Sequence, residues 1–438
     1  MDTKNFHITT FGCRTNQSDT SALREDLFQA SFKETKDPVQ ADLLVVNSCT
    51  VTHRSDQQVR QMVRRLRRQN PEARLLVTGC YAQREPEALA RIPGVDSVIG
   101  NSHKNSLVQI GVKDFVSPAG FPELATIYQD SFGNSRVLVE SSSKHTGGRT
   151  RPFVKIQDGC DARCTYCIIP VVRGPGRSLP PNQVVEQVKR LVTNGFREIV
   201  LTGIHLGTYG RYLDPPFPLH CLLQRLLQID NLEQLRLSSI EPMELSRRVI
   251  RLAEKSQGKL APHFHICLQS GCNATLRKML RPYTTKRFSS LVKEINHRIP
   301  TAAIGSDIIA GFPGEKESEH QESLRFVERM PLSYLHIFPY SDRSGTVASQ
   351  MSDKVSSSTI RRRCREFREI SENKNRKFRK SFIGKELLSL TLDQIEEGRR
   401  SVLTGNYLKG LTDLNLEATQ LVSLKVIGED SKGRLILR

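Results

Sequence analysis

Short apolar runs alternate with longer amphipathic stretches over residues 1–115. The runs predict β-strands at Phe6–Thr10, Leu43–Asn47 and Leu75–Thr78, and the stretches between them have the length of crossover helices. Strands that alternate with helices form βαβ units, which build a mostly parallel sheet. The sequence therefore predicts an N-terminal α/β domain. Ser, Gly and Pro cluster in the segment that follows, so we expect residues 116–145 to form a linker.

The alternation of strand and helix patterns starts again after the linker and continues through residues 146–376. Six apolar runs predict the strands Phe153–Gln157, Glu198–Leu201, Leu235–Leu237, Phe264–Leu268, Ala303–Ile309 and Leu335–Phe338. A closed barrel of parallel strands and helices needs more strands and a longer chain. We therefore expect this domain to be an open, partial (β/α)6 barrel.

The periodicity changes once more in the last part of the chain, residues 377–438. Short alternating runs such as Leu387–Leu392 and Leu421–Ile427 are separated by turn signals, including a Gly405 turn. This pattern predicts a small antiparallel β-barrel similar to the folds that bind oligonucleotides. A basic, helix-like stretch over residues 355–380 leads into it.

Composition adds a strong basic charge and an unusual use of cysteine. The 438 residues include 65 Lys and Arg against 46 Asp and Glu, a net charge of +19. Such an excess favours a partner with a phosphate backbone, although a basic surface without a dedicated polyanion is the alternative. The ten cysteines are irregularly spaced, which is typical of thiols in a reducing compartment. No signal-peptide pattern and no apolar stretch of membrane-spanning length is present, so we expect a soluble, cytoplasmic protein without membrane contact.

Two clusters of arginine predict where an RNA partner would bind. In the N-terminal domain the candidates recur at helical spacing, and in the stretch before the tail barrel they are consecutive. They are Arg60, Arg64, Arg67, Arg361, Arg362 and Arg363. The alternative for each cluster is an ordinary solvated helix face, but a position beside an oligonucleotide-binding type of barrel favours RNA.

Three cysteines, Cys160, Cys164 and Cys167, form a CxxxCxxC motif directly after the first predicted barrel strand. Three thiolates are one fewer than a closed structural metal site needs. A [4Fe-4S] cluster with three cysteine ligands leaves one iron open. The motif resembles that of the radical SAM superfamily, which implies that this iron binds the amine and carboxylate of S-adenosylmethionine (SAM). The alternative is a zinc knuckle, but the next candidate ligands, His205 and Cys221, are too distant in sequence.

A second set of cysteines, Cys13, Cys49 and Cys80, has no local motif, but each residue follows a predicted strand of the N-terminal domain. The carboxyl ends of parallel strands share one edge of a sheet, so these three thiols should converge. The sequence therefore predicts a second metal or cluster site. The alternative is a set of three buried apolar cysteines.

Polar and small residues follow the predicted barrel strands, at the edge where barrel enzymes bind their ligands. For SAM binding, the candidates at these strand ends are Gly203, Ser239, Glu241 and Gln269. Tyr166, which lies between two of the motif cysteines, is the candidate for contact with the adenine of SAM.

Together these motifs resemble the methylthiotransferases, radical SAM enzymes that replace a C–H bond by C–SCH3. The resemblance covers nearly the whole chain and is closest to the branch that acts on N6-threonylcarbamoyladenosine in tRNA. The strings that carry it are FGCRTNQSD, NSCTVTHRSD, GCYAQ, QDGCDARCTYCIIPVVRG, LTGIHLGTYG, SSIEP, LQSG, AGFPGE and FPYSDRSGT. It implies a methylthiotransferase domain, a radical SAM domain and a TRAM-type RNA-binding tail.

The resemblance also implies cofactors and partners. Two [4Fe-4S] clusters would be held by the catalytic cysteines, one by Cys13, Cys49 and Cys80 and the other by the CxxxCxxC motif. SAM, a flavodoxin- or ferredoxin-like electron donor and the anticodon stem-loop of tRNA would be the partners. The product would be 2-methylthio-N6-threonylcarbamoyladenosine at position 37. The alternatives are isopentenyladenosine in tRNA, a ribosomal-protein aspartate, or a non-enzymatic iron-sulfur redox sensor that binds RNA.

Overall fold

The structure is a computed structural model that describes residues 4–113, 125–133, 136, 138 and 148–438. Most of the predicted linker, residues 116–145, therefore lies outside the described residues. Within the described residues, no helix combines the length and the apolar character that a membrane crossing requires. All ten cysteines are described, and none of them forms a disulfide.

The N-terminal domain is built on a parallel sheet. Its described strands are β1 (Asn5–Thr10), β2 (Lys33–Glu34), β3 (Leu43–Ser48), β4 (Arg74–Gly79), β5 (Ser97–Gly100) and β6 (Thr126–Tyr128). Their order is β2-β1-β3-β4-β5-β6, and every neighbouring pair is parallel. The helices are α1 (Arg14–Gln29), α2 (His53–Gln69), α3 (Cys80–Arg84), α4 (Pro86–Ala90) and α5 (Leu107–Lys113).

The core of this domain lies on both faces of the central strands. Leu44 and Val46 of β3 pack into one apolar cluster, and Leu43 and Val45 of the same strand pack into another. Continuous apolar runs are expected where helices cover both faces of a parallel sheet. The sheet also extends beyond the predicted domain. Its last strand, β6, lies in the segment that we expected to be a linker, and it pairs with β5.

The second domain is the predicted open barrel. Its strands are β7 (Phe153–Lys155), β8 (Gln157–Asp158), β9 (Arg177–Ser178), β10 (Glu198–Thr202), β11 (Gln234–Leu237), β12 (His263–His265), β13 (Ala303–Ala310) and β14 (Tyr334–Pro339). The parallel strands follow the order β7-β10-β11 and β12-β13-β14, and isolated parallel bridges such as Ile240 to Ile266 join the two groups. The helices are α6 (Ile169–Arg173), α7 (Pro181–Thr193), α8 (Leu219–Leu227), α9 (Arg247–Lys255), α10 (Asn273–Lys278), α11 (Thr285–Arg298), α12 (Glu317–Arg329) and α13 (Ser357–Lys380).

The tail forms a closed β-barrel, as expected. Its strands are β15 (Glu386–Glu396), β16 (Arg399–Thr404), β17 (Lys409–Thr412), β18 (Leu421–Glu429) and β19 (Leu435–Leu437). They close in the order β15-β16-β17-β19-β18. The pairing is antiparallel, as predicted, except between β17 and β19, which are parallel. The predicted basic helix is α13, which begins at a hydrogen bond from the backbone N–H of Thr359 to the side chain of Ser356.

One side chain of the tail reaches both other domains. Tyr407, in the turn between β16 and β17, stacks on His263 of the open barrel with ring centroids 4.3 Å apart. Its hydroxyl accepts a hydrogen bond of 2.8 Å from Arg14 at the start of α1. Although burial alone would raise the pKa of Tyr407, the guanidiniums of Arg14, Arg151 and Arg236 lower it. The tail is therefore a structural part of the molecule and is not a separate appendage.

Candidate functional site

The CxxxCxxC cysteines lie on a compact loop between β8 and α6. Backbone hydrogen bonds of 3.0 Å join Cys160 to the carbonyl of Gly174 and Cys167 to the carbonyl of Cys164. Gly159 has a φ of 71°, and a Cβ there would lie 2.0 Å from the carbonyl oxygen of Pro175. The Gly in this position is therefore required for the loop to fold back on itself.

The electrostatics of the three thiols fit a metal cluster. Burial, with a smaller contribution from the charge of Cys164, raises the pKa of Cys160 to about 11 and that of Cys167 to about 12. Without a metal, Cys160 and Cys167 would stay protonated, because burial disfavours their charged thiolate forms. A bound metal ion or cluster reverses this preference, since it attracts and holds the thiolates.

A cavity of about 350 Å³ opens beside these cysteines, a size found in small-ligand sites. Three of the predicted SAM contacts, Tyr166, Glu241 and Gln269, line it together with all three cysteines. Gly203 and Ser239 lie at the ends of their strands but are not among its lining residues. The structure thus brings together part of the predicted set.

Arg281 is the most important residue of the cavity that the sequence analysis missed. Its Nη1 donates to the Sγ of Cys164 at 3.0 Å, its Nη2 forms an ion pair with Glu241, and its Nε donates to the hydroxyl of Tyr283 at 3.1 Å. Burial raises the pKa of Glu241, and the charge of Arg281 opposes that rise. The cavity therefore has a cation that can bind the carboxylate of an amino acid and a carboxylate that can bind its amine.

His205 is a second residue that the analysis did not assign to the site. Its Nδ1 lies 3.4 Å from the Sγ of Cys160, and its buried Nε2 has no hydrogen-bond partner. The side chain of Gln157 accepts a hydrogen bond of 2.7 Å from the backbone N–H of His205. The imidazole is thus fixed at the wall of the cavity, with one nitrogen beside a candidate cluster ligand.

A second cavity of about 230 Å³ adjoins the first and extends to the N-terminal domain. Tyr166 and Gln269 line both cavities, and Thr52 of the N-terminal domain closes this one. Asp307 on β13 also lines it, with one carboxylate oxygen 3.2 Å from His265. Burial would raise the pKa of Asp307, but the neighbouring histidines lower it, so this wall carries a negative charge.

The three cysteines of the N-terminal domain converge at the carboxyl edge of its sheet. Cys13 caps α1, Cys49 follows β3 and Cys80 begins α3. Burial first, and then the charges of Cys80 and Cys13, raise the pKa of Cys49 to about 11. A Cβ at Gly12, whose φ is 101°, would lie 3.0 Å from the Sγ of Cys49. The convergence thus depends on a glycine, and it brings three thiols together, which are soft ligands suited to a metal cluster.

The predicted RNA-binding arginines of α2 have different surroundings. Arg64 is exposed. Arg60 donates to the hydroxyl of Tyr81 at 2.6 Å, and Arg67 donates to the carbonyl of Gly94 at 2.8 Å. Arg67 therefore holds the loop before β5, and Arg64 is the most accessible of the three.

The three consecutive arginines of α13 also differ. Arg361 is exposed, and Arg362 pairs with Glu317 at 2.6 Å. Arg363 is only 3% exposed and pairs with the buried Glu315 at 2.7 Å. The prediction that Arg363 contacts RNA is wrong, because its guanidinium is buried and joins α13 to the barrel. Three consecutive residues of a helix point in different directions, which the sequence run conceals.

Two family models match the domains that carry the cysteines. Residues 5–100 match a family described as uncharacterized protein family UPF0004, and residues 154–327 match the radical SAM superfamily. Among solved structures, the radical S-adenosylmethionine methyltransferase TsrM from Kitasatospora setae has a TM-score of 0.56 at 14% identity, over 80% of this chain and 77% of its own. That likeness supports the fold alone.

Curated relatives align with nearly the whole chain. The threonylcarbamoyladenosine tRNA methylthiotransferase MtaB of Aquifex aeolicus is 39% identical over 91% of this chain and 94% of its own length. The protein of the same name from Bacillus subtilis is 35% identical over 93% of this chain and 90% of its own. The tRNA-2-methylthio-N(6)-dimethylallyladenosine synthase of Natranaerobius thermophilus is 33% identical over 85% and 83%. This chain therefore belongs to the methylthiotransferase family of radical SAM enzymes.

Proposed function

We propose that this enzyme converts N6-threonylcarbamoyladenosine at position 37 of tRNA to its 2-methylthio derivative. The relatives of highest identity among those described above carry that activity in their names, and they align with more than nine-tenths of this chain. The observation that carries the proposal is the packing of the N-terminal cysteine set against the segment that follows the CxxxCxxC motif. Cys80 of the N-terminal set shares an apolar cluster with Ile168 and Val172, which follow Cys167.

The six cysteines would hold the two clusters in this arrangement. When bound, the cluster on Cys160, Cys164 and Cys167 supplies the electron that cleaves SAM, and the cluster on Cys13, Cys49 and Cys80 holds the sulfur. The C2–H bond of adenine is not acidic, so side-chain acid–base chemistry alone could not exchange this hydrogen for a methylthio group. The protein contributes orientation, charge and the exclusion of water.

The residues of the larger cavity would orient SAM. Arg281 would bind the carboxylate of the methionyl group, and Glu241 would accept hydrogen bonds from its amine. These two side chains also pair with each other, so each compensates the buried charge of the other. Tyr166 and Gln269 line both cavities, so we place the nucleoside part of SAM against them.

The tail barrel and the exposed arginines Arg64 and Arg361 would bind the phosphates of the anticodon stem-loop. Tyr166 and Thr52 lie in the cavity between the domains, where the target base would enter. A flavodoxin- or ferredoxin-like protein would supply the electron, and a tRNA substrate would place the enzyme in the cytoplasm. We keep residues 1–115, 146–376 and 377–438 as the proposed domains. Residues 116–145 join the first two and add strand β6 to the N-terminal sheet.

Mass spectrometry of tRNA nucleosides from cells with and without the gene tests the substrate. We expect 2-methylthio-N6-threonylcarbamoyladenosine to disappear and its unthiolated precursor to accumulate. The deletion strain should recover the product with the wild-type gene and not with Cys13→Ala. If the nucleoside is unchanged while the isopentenyl counterpart or a ribosomal-protein aspartate loses its methylthio group, the substrate proposal is wrong. If the purified enzyme does not cleave SAM under anaerobic reducing conditions, the redox-sensor alternative is favoured.

A further inference from the structure

A buried ion cluster joins the N-terminal domain to the barrel between the two cysteine sets. Its centre is Arg173, the last residue of α6, whose side chain is 2% exposed. Nη1 donates to the two carboxylate oxygens of Asp158 at 2.9 and 3.0 Å. Nη2 donates to Asp19 at 3.0 Å and to the side-chain oxygen of Asn16. One guanidinium therefore binds acceptors from both domains.

Two lysines complete the charge of this cluster. Lys104 lies 2.8 Å from Asp19, and Lys155 pairs with Asp19 and lies 3.2 Å from Asp158. The side chains of both carboxylates are less than one-tenth exposed. Removal of one partner from a buried ion pair is strongly destabilising, because the remaining charge stays buried. The cluster therefore resists displacement of its members.

On the barrel side, the ion cluster is attached to the loop of the CxxxCxxC motif at both ends. Asp158 ends β8 shortly before Cys160, and its Oδ1 accepts a hydrogen bond of 2.8 Å from the backbone N–H of Gly159. Arg173 ends the helix that begins after Cys167. The pair of Asp158 and Arg173 thus clamps the start and the end of the segment that carries the three thiols.

On the N-terminal side, the same cluster contacts the surroundings of the other thiols. The Oδ1 of Asn16 lies 3.9 Å from the Sγ of Cys80, and its Nδ2 donates to the carbonyl of Ser48 at 3.0 Å. Asn101 gives a second connection, because its Nδ2 lies 3.6 Å from the Sγ of Cys80 and donates to the carbonyl of Val172 at 2.8 Å. Two separate paths therefore lead from Cys80 to the end of α6.

We propose that Arg173 is a positioning residue that fixes the distance and orientation between the two cysteine sets. The inference rests on the proposed ligation of one cluster by each set. Group transfer between two centres is sensitive to their placement, and a misplacement of about 1 Å can lower the rate on the order of 10²-fold. A guanidinium suits this role because its planar donors bind several acceptors at fixed angles, which a lysine ammonium does not.

The test compares the wild-type holoenzyme with Arg173→Lys, which keeps the charge. Two quantities are measured: the amount of 5′-deoxyadenosine formed per methylthiolated nucleoside, and the dipolar interaction between the two reduced clusters by electron paramagnetic resonance. We expect SAM cleavage to continue while the ratio rises on the order of 10²-fold. We also expect the dipolar interaction to change, which a role in overall stability alone would not cause.

Two further variants make the outcome decisive. Arg24→Gln is the control: Arg24 lies on helix α1, as Asn16 and Asp19 do, but it pairs with Glu34 of β2 at 2.8 Å. This variant should leave both quantities unchanged. If Arg173→Lys does not retain both clusters, Asp158→Asn is measured in its place, and we expect the same two changes. Wild-type values of both quantities in a variant that holds both clusters would overturn the proposal. If the proposed nucleoside is not the substrate, the wild type forms no methylthiolated product from it. The dipolar interaction still distinguishes the variants in that case.

Discussion

Replacement of Arg281 by lysine tests how the cavity beside the radical SAM cysteines holds its ligand. The side chain of Arg281 is 5% exposed, pairs with Glu241 and donates to Cys164. Lysine keeps the charge but offers one compact ammonium, so it cannot bind a carboxylate with two parallel hydrogen bonds. One hydrogen bond to a charged group contributes about 1.5–3 kcal/mol. The Kd for SAM should therefore rise by about 10- to 150-fold in Arg281→Lys.

Equilibrium binding of radiolabelled SAM to the reconstituted enzyme measures this change, and the iron content confirms that the clusters are retained. Arg277→Lys is the matched control, because Arg277 is an exposed residue of the preceding helix α10. Its Kd should equal that of the wild type. An unchanged Kd in Arg281→Lys, with both clusters present, would refute the assignment of this guanidinium to the SAM carboxylate.

Three other variants test the auxiliary site, the RNA surface and the pH dependence of stability. Cys13→Ala should lose the iron of one cluster and all methylthiolation but still form 5′-deoxyadenosine from SAM; methylthiolation by this variant would contradict the role of its cluster. Arg361→Gln should reduce the slope of log Kobs for tRNA against log salt by about 0.9 for each duplex phosphate contact that is lost, whereas Arg363→Gln should leave the slope unchanged in the same salt titration. His263 is buried and its pKa is lowered, first by burial and then by the charge of Arg236, so its neutral form stabilises the fold. The free energy of unfolding of the metal-free protein, measured with urea, should fall as the pH decreases below about 6.5, and His263→Phe should show a smaller fall.

The sequence predicted the architecture well where strands are long and apolar. The apolar runs around Val45 and Val200 are buried strands, as expected. The short strands β2, β5 and β6 were missed, because two to four residues carry too little periodicity for a prediction. The predicted strand Phe264–Leu268 is shifted relative to the observed one. Strand β12 ends at His265, and the residues after it pair with neighbouring strands only through isolated β-bridges.

The site was predictable where position relative to a strand determines it. The two cysteine sets and Glu241 follow strands, so the topology alone brings each of them to the carboxyl edge of its own domain. Arg281 was missed because it lies after α10 and not at a strand end. Arg173 was missed for another reason, since a buried charge has no sequence signal that separates it from a surface charge. Such residues are identified only by the partners that surround them.

The contact between Tyr407 and Arg14 has a consequence for the order in which the protein is made. Arg14 directly follows the proposed cluster ligand Cys13, whereas its hydroxyl partner Tyr407 lies 393 residues later in the chain. Domains generally fold as they emerge, starting with the N-terminal one. The first domain can thus form its sheet early, but the surroundings of Cys13 are completed only after the tail barrel has been synthesised. Iron loading of the proposed auxiliary site should accordingly be complete only after the tail has folded, and a chain truncated before residue 377 should load that site poorly when its iron content is measured.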